Sequence, residues 1–139
     1  MMKARTRTRS RFSLVEVMVV MLIIGLLTAL VAPSAMKRFM KAKRGAARAQ
    51  IALLGNACKD YYLDMDRYPE KIEDLIQSPG SDKWDGPYLE NGKLPTDPWG
   101  NEYQYEFPGR DGRAFDIYSY GADNAAGGDG ENADVLGWE

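Results

Sequence analysis

From Phe12 to Ala32 the chain runs for 21 residues with a single charge, Glu16, and almost nothing that prefers water. A helix that is apolar on every side is buried in a large core or lies in a membrane. With 139 residues there is one modest domain and no large core to hide it in. At about 1.5 Å per residue the run spans roughly 31 Å, one bilayer core. Lys3, Arg5, Arg7, Arg9 and Arg11 precede it, which places that end in the cytoplasm and the rest of the chain across the membrane. Lys37, Arg38, Lys41, Lys43 and Arg44 make the far flank basic as well. A cleavable secretory signal is the plainer alternative. The run is long for one, a glutamate near its start is unusual, and Ala32-Pro33-Ser34-Ala35 is a poor cleavage site.

Charge divides the chain. Residues 1–48 hold 11 Lys/Arg and one acid, for +10, and the remainder holds 7 Lys/Arg and 19 Asp/Glu, for −12. The basic residues bracket an apolar run, so a membrane explains them before nucleic acid does. The acidic remainder argues against a nucleic-acid partner. There is no histidine and one cysteine, Cys58. The commonest general base and zinc ligand is therefore missing, and no intramolecular disulfide can form. No phosphate-loop pattern is present, and Glu73 and Asp74 are adjacent on a helix and point apart. We find no catalytic constellation and expect a non-enzyme.

Glu16 asks for a partner. A charge inside a bilayer is costly and is usually paired, and the apolar run offers no cation. A partner from another chain is the economical answer. A free α-amino group, made by cutting just before Phe12, would be one.

Phe12-Ser13-Leu14-Val15-Glu16, followed by an apolar helix and Pro33, resembles the class III signal of type IV pilins and pseudopilins. The resemblance implies that a prepilin peptidase cuts between Arg11 and Phe12 and methylates the new amine. It implies that Glu16 pairs with the N-terminus of a neighbouring subunit during assembly, and that the membrane helix can loosen between Gly25 and Pro33. The family usually carries Gly before the cut, where this chain has Arg11.

Beyond the membrane run, Ala47, Ile51, Leu54, Cys58, Tyr61 and Met65 recur at spacings of 4, 3, 4, 3 and 4. That is one face of a continuing helix, ending near Asp66 before Arg67-Tyr68-Pro69. Pro33 is a place where it could bend or open. Cys58 falls on the packed face and reads as a buried thiol. A short helix carries Ile72, Leu75 and Ile76. Residues 81–101 read as a loop whose aromatics face inward, and Tyr61, Tyr68, Trp84, Trp99 and Phe115 are expected in the core. Tyr103 to Phe107 alternates as a strand, Pro108 to Gly112 turns, and Ala114 to Tyr120 is a second strand. The expected class is α+β, with a small antiparallel sheet on the second half of the long helix.

Arg67-Tyr68-Pro69, Leu94-Pro95-Thr96-Asp97-Pro98-Trp99-Gly100-Asn101 and Ser119-Tyr120-Gly121-Ala122-Asp123 extend the resemblance over nearly the whole chain. Together with the N-terminal signal they are similar to the G-type major pseudopilins of type II secretion. Ordinary type IV pilins usually close their C-terminal region with a disulfide, which one cysteine cannot make. The resemblance implies a pilin-like fold with three parts. These are a basic leader at 1–11, a transmembrane and assembly helix at 12–33, and a periplasmic domain at 34–139 that includes the second half of the long helix. It implies a single-pass inner-membrane protein that becomes a helical homopolymer in the periplasm. That filament would drive export of folded proteins across the outer membrane, with minor pseudopilins, an inner-membrane assembly platform and the peptidase as partners. A surface type IV pilin for adhesion, motility or DNA uptake is one alternative. A membrane-anchored calcium-binding monomer is another.

The segment 121–134, GADNAAGGDGENAD, crowds acids among glycines. Hard oxygens on a pliable loop suit Ca²⁺ better than Mg²⁺, and the EF-hand pattern fails at Ala125 and Gly127. Composition leaves a solvated, metal-free loop equally open. The resemblance implies one Ca²⁺, with Asp123 and Asp134 on the family's acidic positions and Tyr120 giving a carbonyl. The family's central Asp falls near Gly130, so Asp129 substitutes with a one-residue shift, and Glu131 and Asn132 stand in reserve.

Overall fold

The computed structural model describes residues 12–139, so the leader and Arg11 lie outside the described residues. The chain divides into two compact units, Met1–Arg38 and Phe39–Glu139. Helix α1 (Leu14–Met65) contributes to both.

In the first unit the large apolar residues of the run are all exposed, from Phe12 at 77% through Leu30 at 81%. Apolar residues on every side, with nothing from the chain over them, are what a lipid-facing helix needs. The helix opens at Ser13, whose carbonyl accepts from the Glu16 and Val17 N–H groups at 3.1 and 3.2 Å. The Thr28 hydroxyl donates to the Ile24 carbonyl at 2.7 Å and Ser34 to Val31 at 2.9 Å. These hydroxyls are thereby satisfied without water, as a bilayer demands. α1 runs through Pro33 without a break in its assignment.

In the second unit all six residues of the expected stripe are buried, joined by Ala57. Asp66 closes the helix with a left-handed φ of 56°, its N–H donating to Tyr62 O at 2.9 Å. Asp can hold this conformation where a β-branched residue would strain. Pro69 is then fully buried, and its carbonyl accepts the Tyr105 hydroxyl at 2.6 Å. The expected short helix is a 3-10 turn, Ile72–Leu75. Asp74 turns back to accept from the Glu70 and Lys71 N–H groups, and its own carbonyl takes the Trp84 indole N–H at 2.9 Å.

The sheet has three antiparallel strands in the order β1 (Gln104–Glu106), β2 (Asp116–Ser119), β3 (Val135–Leu136). Both expected strands are present but shorter at each end. β3 was not expected, because two residues carry no periodicity to read. All four residues of β2 are buried. Ile117 belongs to the core with Val135 and the α1 stripe. Asp116 accepts from the Arg110 N–H at 2.8 Å and from Arg113 Nε at 2.5 Å. Tyr61 is buried in the core, while Tyr68, Trp84, Trp99 and Phe115 pack half-buried against it.

Candidate assembly and ion-binding sites

The sequence points to two sites, one in each unit, and chemistry is absent from the first. Glu16 stands in the first turn of α1. Among the described residues its carboxylate takes part in no hydrogen bond or ion pair. Phe12 precedes the helix and is 77% exposed. Gly25 has nothing within 4 Å of where a Cβ would stand. This helix therefore presents one acid and a continuous apolar surface to whatever surrounds it. That combination can bind a cation and other apolar helices, and little else.

The second site is the loop after β2. Its first end is pinned near a buried carboxylate. Asp97 accepts from the Trp99 and Asn101 N–H groups at 3.0 and 2.8 Å and takes the Ser119 hydroxyl at 2.5 Å. Ser119 Oγ accepts the Gly121 N–H at 3.1 Å, and Asn101 Nδ2 donates to the Gly121 carbonyl at 2.9 Å. Gly121 needs to be glycine. Its φ is +74°, and a Cβ would stand 2.7 Å from Glu131 O and 2.9 Å from Ala133 O.

The far end is held by α1. Arg44 donates to the Ala133 carbonyl at 2.8 Å and to the Asp134 carbonyl at 3.2 Å. Between the ends, the Ala122 N–H meets Glu131 O at 2.9 Å. Asp134 accepts the Gly127 N–H on both carboxylate oxygens, at 3.0 and 3.1 Å. Asp123 accepts from Ala125 at 3.2 Å. Asp129 gives its carbonyl to the Asn132 N–H at 3.0 Å. Tyr120 lies half-buried, its ring edge-on to Tyr118.

The structure thus brings Asp134 against the glycine turn and gathers the 131–133 backbone around Gly121. It does not bring three carboxylates together: among the described residues no group of three His, Cys, Asp or Glu is placed to hold a metal. The donors on offer are oxygens only, carboxylate and carbonyl, with no imidazole or thiol nearby. That chemistry fits a hard cation drawing much of its coordination from the backbone.

Sequence reasoning missed Arg44 and the Asp97 bracket. Arg44 could have been found, since it stands three residues before Ala47, at the helical spacing that marks the packed face. Asp97 could not, because its partner Ser119 is distant in sequence.

The family model described as "Type II secretion system (T2SS), protein G" matches residues 34–138. The chain belongs to this family. It is 41% identical over 139 residues to the type II secretion system core protein G of Pseudomonas aeruginosa, covering 96% of this chain and 97% of that one. It is 38% identical to the core protein G of Escherichia coli K12, covering 99% and 95%. Among solved structures it is similar to the major pseudopilin from the type 2 secretion system of enterohaemorrhagic Escherichia coli. There the TM-score is 0.57 at 30% identity, covering 70% of this chain and 88% of that one. For a protein G family member, the α+β architecture of one long N-terminal helix and a small antiparallel sheet is the shared fold. The matches to the Pseudomonas and Escherichia proteins extend into the residues before 34, which the family model leaves out.

Proposed function

We propose that the chain is a structural subunit of a type II secretion pseudopilus, anchored in the inner membrane, cut there between Arg11 and Phe12, and then released into a filament. The processed subunits polymerise through their α1 helices into a periplasmic filament, and growth of that filament drives folded proteins across the outer membrane. Minor pseudopilins, an assembly platform and the prepilin peptidase are its partners, and it catalyses nothing. Glu16 carries this reading. It is a lone acid at the fifth position after the proposed cut, on a helix otherwise fit for lipid, and it has no partner among the described residues. The new α-amino group of a neighbouring Phe12 supplies the missing cation, and a charge pair desolvated in this way fixes register between helices.

The N-terminal peptide from native membranes tests it. A peptide beginning at N-methylated Phe12 supports the filament. An intact leader makes the chain a membrane-anchored monomer.

We further propose that the loop 120–134 holds one Ca²⁺ through Asp123, Asp134 and backbone carbonyls including that of Tyr120, with Asp129, Glu131 and Asn132 as the remaining candidates. Bound there, the ion would supply positive charge to a loop whose acids otherwise repel one another. Asp134 orders the glycine turn through Gly127, and Arg44 holds the adjoining backbone, and this ordering of the loop supports the reading. Calcium-dependent protection of this loop from proteolysis is the expected result, lost in Asp134→Ala.

A further inference from the structure

Six Lys/Arg and no acid lie in residues 37–48, directly after the apolar run. This contradicts the usual asymmetry, in which basic residues stay on the cytoplasmic flank. Within the first unit, Lys37 and Arg38 are exposed, and they lie about 8–9 Å along the helix from Ala32. The bilayer's polar region is only about 5–7 Å deep on each side, but helical side chains lean toward the N-terminus and these long cationic ones reach back into it. Within the second unit, Lys41 and Arg48 are exposed. None of these four cations has a carboxylate within ion-pair distance among the described residues. Arg44 and Lys43 are otherwise engaged, the first on the Ala133 and Asp134 carbonyls, the second over the Phe39 ring at 5.0 Å.

Apolar side chains are interleaved with these charges. Met36 is 55% and Phe39 56% exposed. A water-facing surface would not favour a large thioether and a benzyl ring there. A membrane interface favours this mixture, with apolar side chains in the acyl boundary and ammonium or guanidinium groups at the phosphates.

We propose that Lys37 and Arg38 bind the phosphate headgroups of anionic phospholipids on the far leaflet. This holds the subunit at a fixed depth while it waits in the membrane. The inference rests on the apolar run lying in a bilayer, and it does not require the filament reading. Attraction of this kind to an anionic surface weakens with salt.

The test uses the full chain, reconstituted in vesicles of mixed phosphatidylglycerol and phosphatidylcholine. Native mass spectrometry of the released protein counts the lipids it retains. The wild-type chain is expected to retain phosphatidylglycerol over phosphatidylcholine, and added inorganic phosphate leaves that preference in place. K37Q/R38Q is expected to retain fewer phosphatidylglycerol molecules, while the charge-preserving K37R/R38K retains the wild-type number. An unchanged number in the Gln variant overturns the proposal. If that variant keeps its lipids but fails to form filaments, the cations answer to acidic faces of neighbouring subunits instead, and the lipid reading falls. Displacement by free phosphate also overturns it. An uncut leader adds five cations of its own, so chains with the same N-terminus are compared, and the fall in retained phosphatidylglycerol reads Lys37 and Arg38 whether or not the cut occurs; the two readings fail separately.

Discussion

Asp116 shows what a charge costs when its place in the core is secured. Its side chain is fully buried, and Arg113 reaches it across the turn. The hydrogen bonds from Arg113, with help from the Arg110 N–H, hold its carboxyl below the usual carboxylate range. A carboxyl with a lowered folded-state pKa stabilises the fold above its unfolded-state value, and that contribution disappears as pH falls through the folded value. Asp116→Asn should therefore lower stability near neutral pH by roughly 1.5–3 kcal/mol, the worth of a hydrogen bond to a charged group. Thermal melts of the two proteins should converge in acid. Cys58 is the opposite case, a buried free thiol pushed up to about 12 by burial. It should resist maleimide at pH 7.5 in the native protein and react fully in denaturant, since the thiolate is the reacting form. Its place was legible in the sequence, because a spacing of 4, 3, 4 needs only local geometry. The Asp116 pair was not: Pro108 to Gly112 reads as a turn, but nothing in it says that Arg113 will reach back to a buried acid on the strand.

Among the elements, α1 was the most readable and the C-terminal loop the least. A helix declares itself through a repeated period, and the expected bounds at Phe12 and Asp66 differ from the observed Leu14–Met65 by one or two residues. The loop has no period. Its composition announced acids and glycines but not which backbone groups would meet, so the Asp134–Gly127 contact and the Arg44 contacts emerge only in the folded chain. Arg44→Gln should free the 133–134 arm. The expected outcome is faster proteolysis within 122–134 with the rest of the fold intact, read by mass mapping of the first cuts. Gly121→Ala should destabilise by about 1–3 kcal/mol through its left-handed conformation alone. Contact with Glu131 O and Ala133 O adds to that cost. Chemical denaturation would measure it as a lower midpoint.

At the scale of the whole molecule, every buried hydrophobic among the described residues lies between Ala47 and Val135. The core therefore belongs to one unit, and the membrane run contributes nothing to it. A fragment beginning at Phe39 should fold cooperatively and remain monomeric without detergent, as circular dichroism and sedimentation would show. The full chain should need detergent or lipid. The division between an apolar run and an acidic remainder made this organisation visible from charge and hydropathy alone.

The core also has an order in time. Gly137 donates its N–H to the Ile117 carbonyl at 3.0 Å, and a Cβ there would stand 2.8 Å from Ile51 Cγ2. Val135, beside it, is fully buried in the cluster that begins at Ala47. The ribosome makes the helical wall of this core early and the strand that seals it late. Until residue 135 has emerged, the stripe on α1 lacks its final cover, and contacts of such long sequence separation form slowly. The helical stripe and the strand that covers it thus stand about 70 to 90 residues apart in sequence, and the core closes only once both are present.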